Sequence, residues 1–225
     1  MHTRHRPLLA DRLDAAKQLS QRMAQFRGTR PLVLAIPRGG VPVGALLAKE
    51  LDGDLDVVLV RKLGAAFNPE CALGAVAEDG RVWLADNLAH DEEIHADKGW
   101  LAEQRMQQLE ILHRRRELYT PHRPASSARD RTVIVVDDGL ATGSTMAAAL
   151  HITRQQQPAT LIAAVPVAAV DGLRRIVTLA DQLICLHALS GFDAVSMYYR
   201  HFPQISDEEV IRLLSPDATQ PSNPH

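Results

Sequence analysis

The chain has 225 residues, 46% of them hydrophobic, and its 25 Lys and Arg against 27 Asp and Glu leave a formal net charge of -2 at pH 7. This is the composition of a soluble globular protein with a sizeable core, most simply one compact domain with attachments. It excludes a global basic field that would hold nucleic acid by counterion release, and an aromatic content of 4% is low for a base-stacking platform.

Between Asp11 and Gln25, Leu13, Ala16, Leu19 and Met23 recur at helical spacing, which predicts an amphipathic first helix stopped by Gly28. Leu8-Leu9-Ala10 is followed at once by Asp11 and Arg12, so no apolar run is long enough for a signal peptide. Leu32 to Ile36 reads as a buried strand closed by Pro37-Arg38-Gly39-Gly40, and helical chemistry resumes from Val43 to Leu51. Asp56 to Val60 is predicted as the next strand, delivering Arg61 and Lys62 at its C-terminal end. Leu63 to Glu70 reads as a mobile stretch, and Ala72 to Ala77 with Arg81 to Leu84 as a hairpin turning at Asp79-Gly80.

A long polar helix is predicted from Asp91 to Tyr119, with Ile94, Leu101, Leu109 and Leu112 on one narrow apolar face and Pro121 and Pro124 beyond its end. Strands at Thr132–Val136, Thr160–Val167 and Gln182–Leu186 then alternate with helices at Ser144–Gln155 and Val170–Leu179. Such alternation implies an α/β fold: a central, mostly parallel sheet with helices on both faces and binding groups at the C-terminal strand edges. Ser206-Asp207-Glu208-Glu209 is a capping box that opens a last helix to about Leu214, and residues 216–225 read as a disordered tail. Cys71 and Cys185 lie far apart with no CxxC spacing, which suits a reducing cytoplasm. Leu161 to Val170, interrupted by Pro166, is far too short to span a membrane.

The chemistry concentrates in Val133-Ile134-Val135-Val136-Asp137-Asp138-Gly139-Leu140-Ala141-Thr142-Gly143-Ser144-Thr145. Four apolar residues carry two carboxylates to the sheet edge, and a loop of small and hydroxyl residues then runs into a helix N-terminus. Backbone N–H groups of Ala141 to Thr145, the hydroxyls of Thr142, Ser144 and Thr145, and the helix dipole favour a phosphate monoester there. The carboxylates would repel that phosphate and suit sugar hydroxyls better. A Walker loop is ruled out, because Gly143 is followed by Ser144 where that motif needs Lys, and no GxGxxG is present.

This segment closely resembles the signature of the type I phosphoribosyltransferases: four hydrophobics, two acids and a phosphate loop rich in Thr, Gly and Ser. The resemblance covers about residues 30–190. It implies that Asp137 and Asp138 hold the ribose hydroxyls of phosphoribosyl pyrophosphate (PRPP), that Ala141, Thr142, Gly143, Ser144 and Thr145 hold its 5-phosphate, and that Gly139 and Leu140 belong to the same PRPP-binding segment. Pro37, Arg38, Gly39 and Gly40 match the family's pyrophosphate loop, where a non-proline cis peptide is common and Pro37–Arg38 is its expected place. Arg61 and Lys62 match the cationic pair after the second core strand. Together with Asp-Asp-Gly-Leu-Ala-Thr-Gly, these motifs also look like a bacterial subgroup of phosphoribosyltransferase-like proteins.

The resemblance implies a single domain over residues 1–215 with a hood built from the N- and C-terminal segments. It also implies a Mg2+-dependent transfer of the phosphoribosyl group to a small nitrogenous base. Mg2+ would be carried by PRPP, and Asp137, Asp138, Arg38 and Lys62 would be the catalytic groups. Many relatives pair, and the first and long helices are the candidate faces of a homodimer. No protein-held metal is expected, since His2, His5, His90, His95, His113, His122 and His201 show no ligand spacing.

Two departures matter. In 6-oxopurine members an Asp stands three residues beyond the second acid, where this chain has Ala141, which disfavours hypoxanthine or guanine as acceptor. Between Leu63 and Gly80 there is no Lys or Arg, although many relatives close a cation-bearing loop over the reaction. Arg114-Arg115-Arg116 is a substitute for that cation or else a solvated helix face, and the aromatics from Phe192 to Phe202 form a base-stacking hood or else core. The alternative to an enzyme is therefore a non-catalytic PRPP-binding regulatory or interaction protein.

Overall fold

The computed structural model describes residues 7–64, 72–84 and 98–215. In chain order come α1 (Arg12–Arg22), β1 (Leu32–Ala35), α2 (Gly40–Glu50), β2 (Asp54–Val57), β3 (Val60–Gly64), β4 (Ala72–Ala77) and β5 (Val82–Leu84). The second half gives α3 (Lys98–Tyr119), β6 (Thr132–Val136), α4 (Ser144–Arg154), β7 (Thr160–Ala169), α5 (Val170–Ile176), β8 (Gln182–Leu189) and α6 (Asp207–Leu214). Five strands form one parallel sheet in the order β2-β1-β6-β7-β8. β3-β4-β5 form a separate antiparallel sheet.

The apolar runs are continuous because both faces of the large sheet are covered. Val33, Ala35, Ile134, Val136, Ile162 and Ala164 pack with Leu19, Met23, Val43 and Leu47 of the α1–α2 layer. Their neighbours of opposite parity, Leu34, Val133, Val135, Leu161 and Ala163, pack with Met146, Ala149, Leu150 and Ile176 of the α4–α5 layer. In α1, Ala16 and Leu19 are buried as the spacing predicts, and Met23 closes the helix from its C-cap. Leu13 departs from that reading: it is 53% exposed, and Arg12 takes the buried place instead.

The predicted strand Asp56–Val60 is corrected. β2 ends at Val57, and Val60 begins β3, so Arg61 and Lys62 stand in the antiparallel sheet and not at a core-strand edge. Val57-Val58-Leu59-Val60 is uniformly apolar, and Val57, Val58 and Leu59 are all buried. Hydrophobicity alone therefore gives no mark where the chain changes sheet. The hairpin turning at Asp79-Gly80 is present, with Gly80 at φ 81°. Residues 65–71, most of the stretch read as mobile, lie outside the described residues, as do 91–97 of the long helix and 216–225 of the tail.

α3 brings Arg116 between the two sheets. Its Nη1 donates to Asp56 Oδ1 at 2.6 Å, its Nε donates to Glu78 Oε2 at 2.6 Å, and its Nη2 donates to the Val57 carbonyl at 3.0 Å. Asp56 also accepts from the Ser126 N–H at 2.7 Å. Arg114 is exposed and pairs within its own helix with Glu110. Arg116 is therefore a tie between the sheets, and the arginine run supplies no cation to a phosphate cavity through it. Among the described residues no helix is long and apolar enough to cross a membrane.

Arg116→Met should lower stability by ~3 kcal/mol or more, because Glu78 would keep buried charge without its counter-ion and Asp56 would keep only the longer contact to Arg123 at 3.5 Å. Arg114→Ala should leave it unchanged; urea denaturation of both variants reads the contrast.

Candidate functional site

The site forms where β1 and β6 end side by side. The Ile36 N–H donates to the Val136 carbonyl at 2.9 Å, which sets the Pro37–Gly40 turn beside the acid pair. The Pro37–Arg38 peptide is cis, as the family pattern implies. Gly39 has no room for a side chain: a Cβ there would stand 2.0 Å from Asp138 Oδ2. Only glycine lets this backbone lie against the carboxylate.

The two acids are used differently. Asp138 is held by Arg12, whose Nε and Nη2 each lie 2.8 Å from Asp138 Oδ2, with the two side chains only 8% and 12% exposed. The remaining groups of Arg12 are engaged as well: Nη1 donates to the Pro203 carbonyl at 2.8 Å, and the guanidinium lies 3.7 Å from the centroid of Phe202. Tyr199 donates its hydroxyl to the Asp138 carbonyl at 2.6 Å. The hydroxyl's own pKa is pushed up by burial and by the nearby Asp138 charge. Asp137 is half-buried, and its Oδ1 accepts from the Asp138 N–H at 2.9 Å.

The pair titrates together. Burial raises the Asp137 carboxyl well above its usual range, and the adjacent Asp138 charge raises it further. Burial also raises Asp138, with Arg12 acting in the opposite direction.

Beyond the acids, a cavity of about 190 Å³ is lined by Asp137, residues 139–146 of the loop and first helical turn, and Val195. Asp138 is absent from that lining. The root of the loop is pinned, because the Leu140 N–H donates to the Val167 carbonyl at 2.9 Å and the Ala169 N–H donates to the Leu140 carbonyl at 2.8 Å. Leu140 therefore shapes the cavity and has no free N–H to offer a ligand.

Gly143 takes φ 76° at the start of α4, a left-handed turn that a side chain would strain. The N-cap residue Gly143 has no side chain to cap α4; only the Ser144 N–H is met, by a long bond to Thr142 Oγ1 at 3.4 Å, and Thr142 Oγ1 and Ser144 Oγ lie 3.2 Å apart at the helix mouth. Open helix N–H groups, hydroxyls and the positive end of the helix dipole make this an anion-binding geometry.

The side chains of Arg38 and Arg61 have partners of their own. Arg38 lies 3.8 Å from Asp207 Oδ1 at the start of α6. Tyr119, its hydroxyl pushed up to about 12 mainly by burial, donates to that same oxygen at 2.7 Å. Arg61 donates to Gln108 of α3 at 2.7 Å, and Lys62 is exposed; among the described residues neither contacts the acid pair or the loop. The late aromatics are core: Tyr198 stacks on Phe192 and Tyr199 packs on Phe202, with both tyrosines buried. The thiol of Cys185 is pushed up to about 11 by burial. Among the described residues no cluster of three His, Cys, Asp or Glu is placed to hold a metal ion.

Two site arginines escape the sequence reading. Arg12 follows an N-cap aspartate in an amphipathic helix, where arginine usually faces water, and its partner is 126 residues away. Arg175, on α5, donates to Ser144 Oγ at 3.1 Å. No spacing rule joins either to the motif, so only the folded topology reveals them.

The family model described as the phosphoribosyl transferase domain matches residues 4–198. Two Mycobacterium tuberculosis proteins, from strains CDC 1551 / Oshkosh and H37Rv and provisionally named phosphoribosyl transferases, are each 41% identical over 207 residues. Those alignments cover 92% of this chain and 46% of each relative, so the chain spans about half the length of these curated relatives. The crystal structure of TT1426 from Thermus thermophilus superposes with a TM-score of 0.83 at 39% identity, covering 92% of this chain and 97% of that one. With the acid pair, the hydroxyl loop and the cis-peptide turn at one sheet edge, this chain belongs to the phosphoribosyl transferase domain family.

Proposed function

We propose that this protein transfers the 5-phosphoribosyl group of PRPP to a nitrogen of a small nitrogenous base and releases pyrophosphate. The observation that carries this reading is a shared cavity in which one carboxylate, Asp137, meets the N-terminus of α4 and its hydroxyl loop. Phosphate and sugar hydroxyls need those two unlike surroundings within one molecule's length.

Ribose hydroxyls donate to Asp137 in this reading, and the 5-phosphate accepts from the N–H groups of residues 141–145 and from the hydroxyls of Thr142, Ser144 and Thr145. The diphosphate lies along Arg38-Gly39-Gly40. The bond between ribose C1 and the diphosphate oxygen breaks with both electrons leaving on pyrophosphate, and the base nitrogen supplies the pair for the new C1–N bond while its proton passes to solvent or to the departing pyrophosphate. Asp138 does not touch the ribose; held by Arg12, it fixes the Gly39 backbone and the floor of the site. Asp137 is the hard oxygen donor facing the cavity, and it would be the protein group to meet a Mg2+ carried by PRPP. When bound, that ion neutralises charge on the leaving group. Ala141 at the position of the 6-oxopurine acid points away from hypoxanthine and guanine.

One observation favours the second reading, a PRPP sensor without rapid turnover: the Arg38 guanidinium faces Asp207, and transfer requires it to exchange that carboxylate for the diphosphate.

Pyrophosphate release measured over a panel of bases separates the two. Release with a base other than hypoxanthine or guanine is the expected result, and PRPP binding without release for every base would establish the sensor. Chelator should weaken PRPP binding strongly, and equal affinity in its presence would remove Mg2+ from the account. Asp137→Asn should abolish PRPP binding yet raise the melting temperature of the ligand-free protein at neutral pH, because a buried charge beside Asp138 disappears. The folded Asp137 carboxyl binds its proton at a pH where the unfolded chain has already lost it, so ionisation there costs stability as pH rises. The gain in Asp137→Asn is therefore largest at neutral pH and shrinks as pH falls through the raised value. Asp138→Asn should instead destabilise the fold by ~3 kcal/mol or more, since Arg12 would keep a buried charge without its counter-ion.

A further inference from the structure

The loop that holds the 5-phosphate in the proposed function does not stand alone against α4. Gly172, in the first turn of α5, lies directly on it: a Cβ there would stand 2.3 Å from the Ala141 carbonyl oxygen and 2.3 Å from Leu140 Cδ2. From the other side, a Cβ on Gly143 would stand 2.8 Å from the Gly172 carbonyl oxygen. Two backbones in contact fix α5 beside the loop, and residue 175, three positions after 172, projects from the same helix face.

That residue is Arg175, whose Nη1 donates to Ser144 Oγ at 3.1 Å. The same hydroxyl oxygen lies 3.2 Å from Thr142 Oγ1, so the guanidinium, which stands just outside the cavity lining, touches one member of the hydroxyl pair at the loop's mouth and has only to swing inward to meet an anion there. The neighbouring Arg174 is committed to Asp171 at 3.0 Å. Among the described residues Arg175 has no carboxylate partner, and its side chain is exposed. A guanidinium presents five N–H donors in a planar fork, and one bond to a serine oxygen leaves most of them for an anion. The electrostatics call for such a group. Asp137 lines the same cavity, and a phosphate dianion entering it meets that carboxylate; dipoles and hydroxyls alone carry no full positive charge to offset it.

We propose that Arg175 is a ligand of the 5-phosphate and that α5 is thereby part of the donor site. The guanidinium forms charge-assisted bonds to the phosphate oxygens, and Ser144 Oγ then donates to the same group. This inference rests on the reading of residues 141–145 as the 5-phosphate loop. It assigns Arg175 to recognition of the phosphorylated end of the donor, away from the diphosphate.

Calorimetric titration of ribose 5-phosphate and of pyrophosphate into wild type, Arg175→Met and Arg175→Lys tests it, and the exposed position keeps the variants folded, which circular dichroism verifies. Loss of a charge-assisted bond predicts roughly tenfold or more weaker ribose 5-phosphate binding in Arg175→Met, partial recovery in Arg175→Lys, and unchanged pyrophosphate binding. Ribose 5-phosphate binding by Arg175→Met equal to wild type overturns the assignment. Equal weakening of both ligands also overturns it, because it marks a general disturbance of the site. Failure of wild type itself to bind ribose 5-phosphate or PRPP overturns the loop reading on which the assignment rests, a result separable from the other two.

Discussion

The buried ion pair between Arg12 and Asp138 is the constraint on which the site depends. It joins the first helix to the edge of β6, and through the Pro203 carbonyl and the Phe202 ring it also binds the C-terminal segment to that edge. The chain's two flanking segments complete the arrangement by pairing with each other: the Leu8 N–H donates to the Tyr198 carbonyl and the Arg200 N–H to the Leu9 carbonyl, each at 2.9 Å. A buried pair of this kind adds little net stability compared with apolar packing, because both ions lose water. Its contribution is geometric. With every Arg12 donor nitrogen engaged, Asp138 has one position, and the Gly39 backbone lies against it.

From that constraint follows the division between two adjacent carboxylates. Asp138 belongs to the frame, whereas Asp137 faces the cavity with a carboxyl raised by burial and by its neighbour. The ligand-free protein thus bears an electrostatic cost at the position where binding needs an acceptor, a usual relation between stability and function. On the far side of Asp137 the pattern reverses. The left-handed turn at Gly143 and the start of α4 present backbone N–H groups and hydroxyls without any carboxylate, and Arg175 adds a cation beside them. A polar ligand that is an alcohol at one end and an anion at the other matches both halves.

Much of this was legible in the sequence. The β-branched run Thr132–Val136, followed by two acids and a hydroxyl-glycine loop, fixes strand, edge and helix start together, because each residue type has one comfortable place in that order. Pro37 through Gly40 was legible for the same reason, with Gly39 required by the approach of Asp138. What sequence patterning could not supply were partners distant along the chain. Arg12 reads as a solvated helix residue and Arg116 as one of three exposed arginines, yet each is buried against carboxylates from other elements. The sheet change at Val58–Leu59 was equally hidden, since hydrophobic strands of different sheets share one composition. The late aromatics suit a ligand hood or a core equally well in sequence, and in the fold they are core because Leu9, Ala15 and Val167 pack against them.

The most direct measurement is a crystal structure of the protein soaked with PRPP. The account predicts the 5-phosphate within hydrogen-bond reach of the N–H groups of residues 141–145, the ribose hydroxyls on Asp137, and the Arg12–Asp138 pair intact beneath Gly39. Ribose bound to Asp138 with Arg12 displaced, or a phosphate loop left empty while the ligand binds elsewhere, would contradict it.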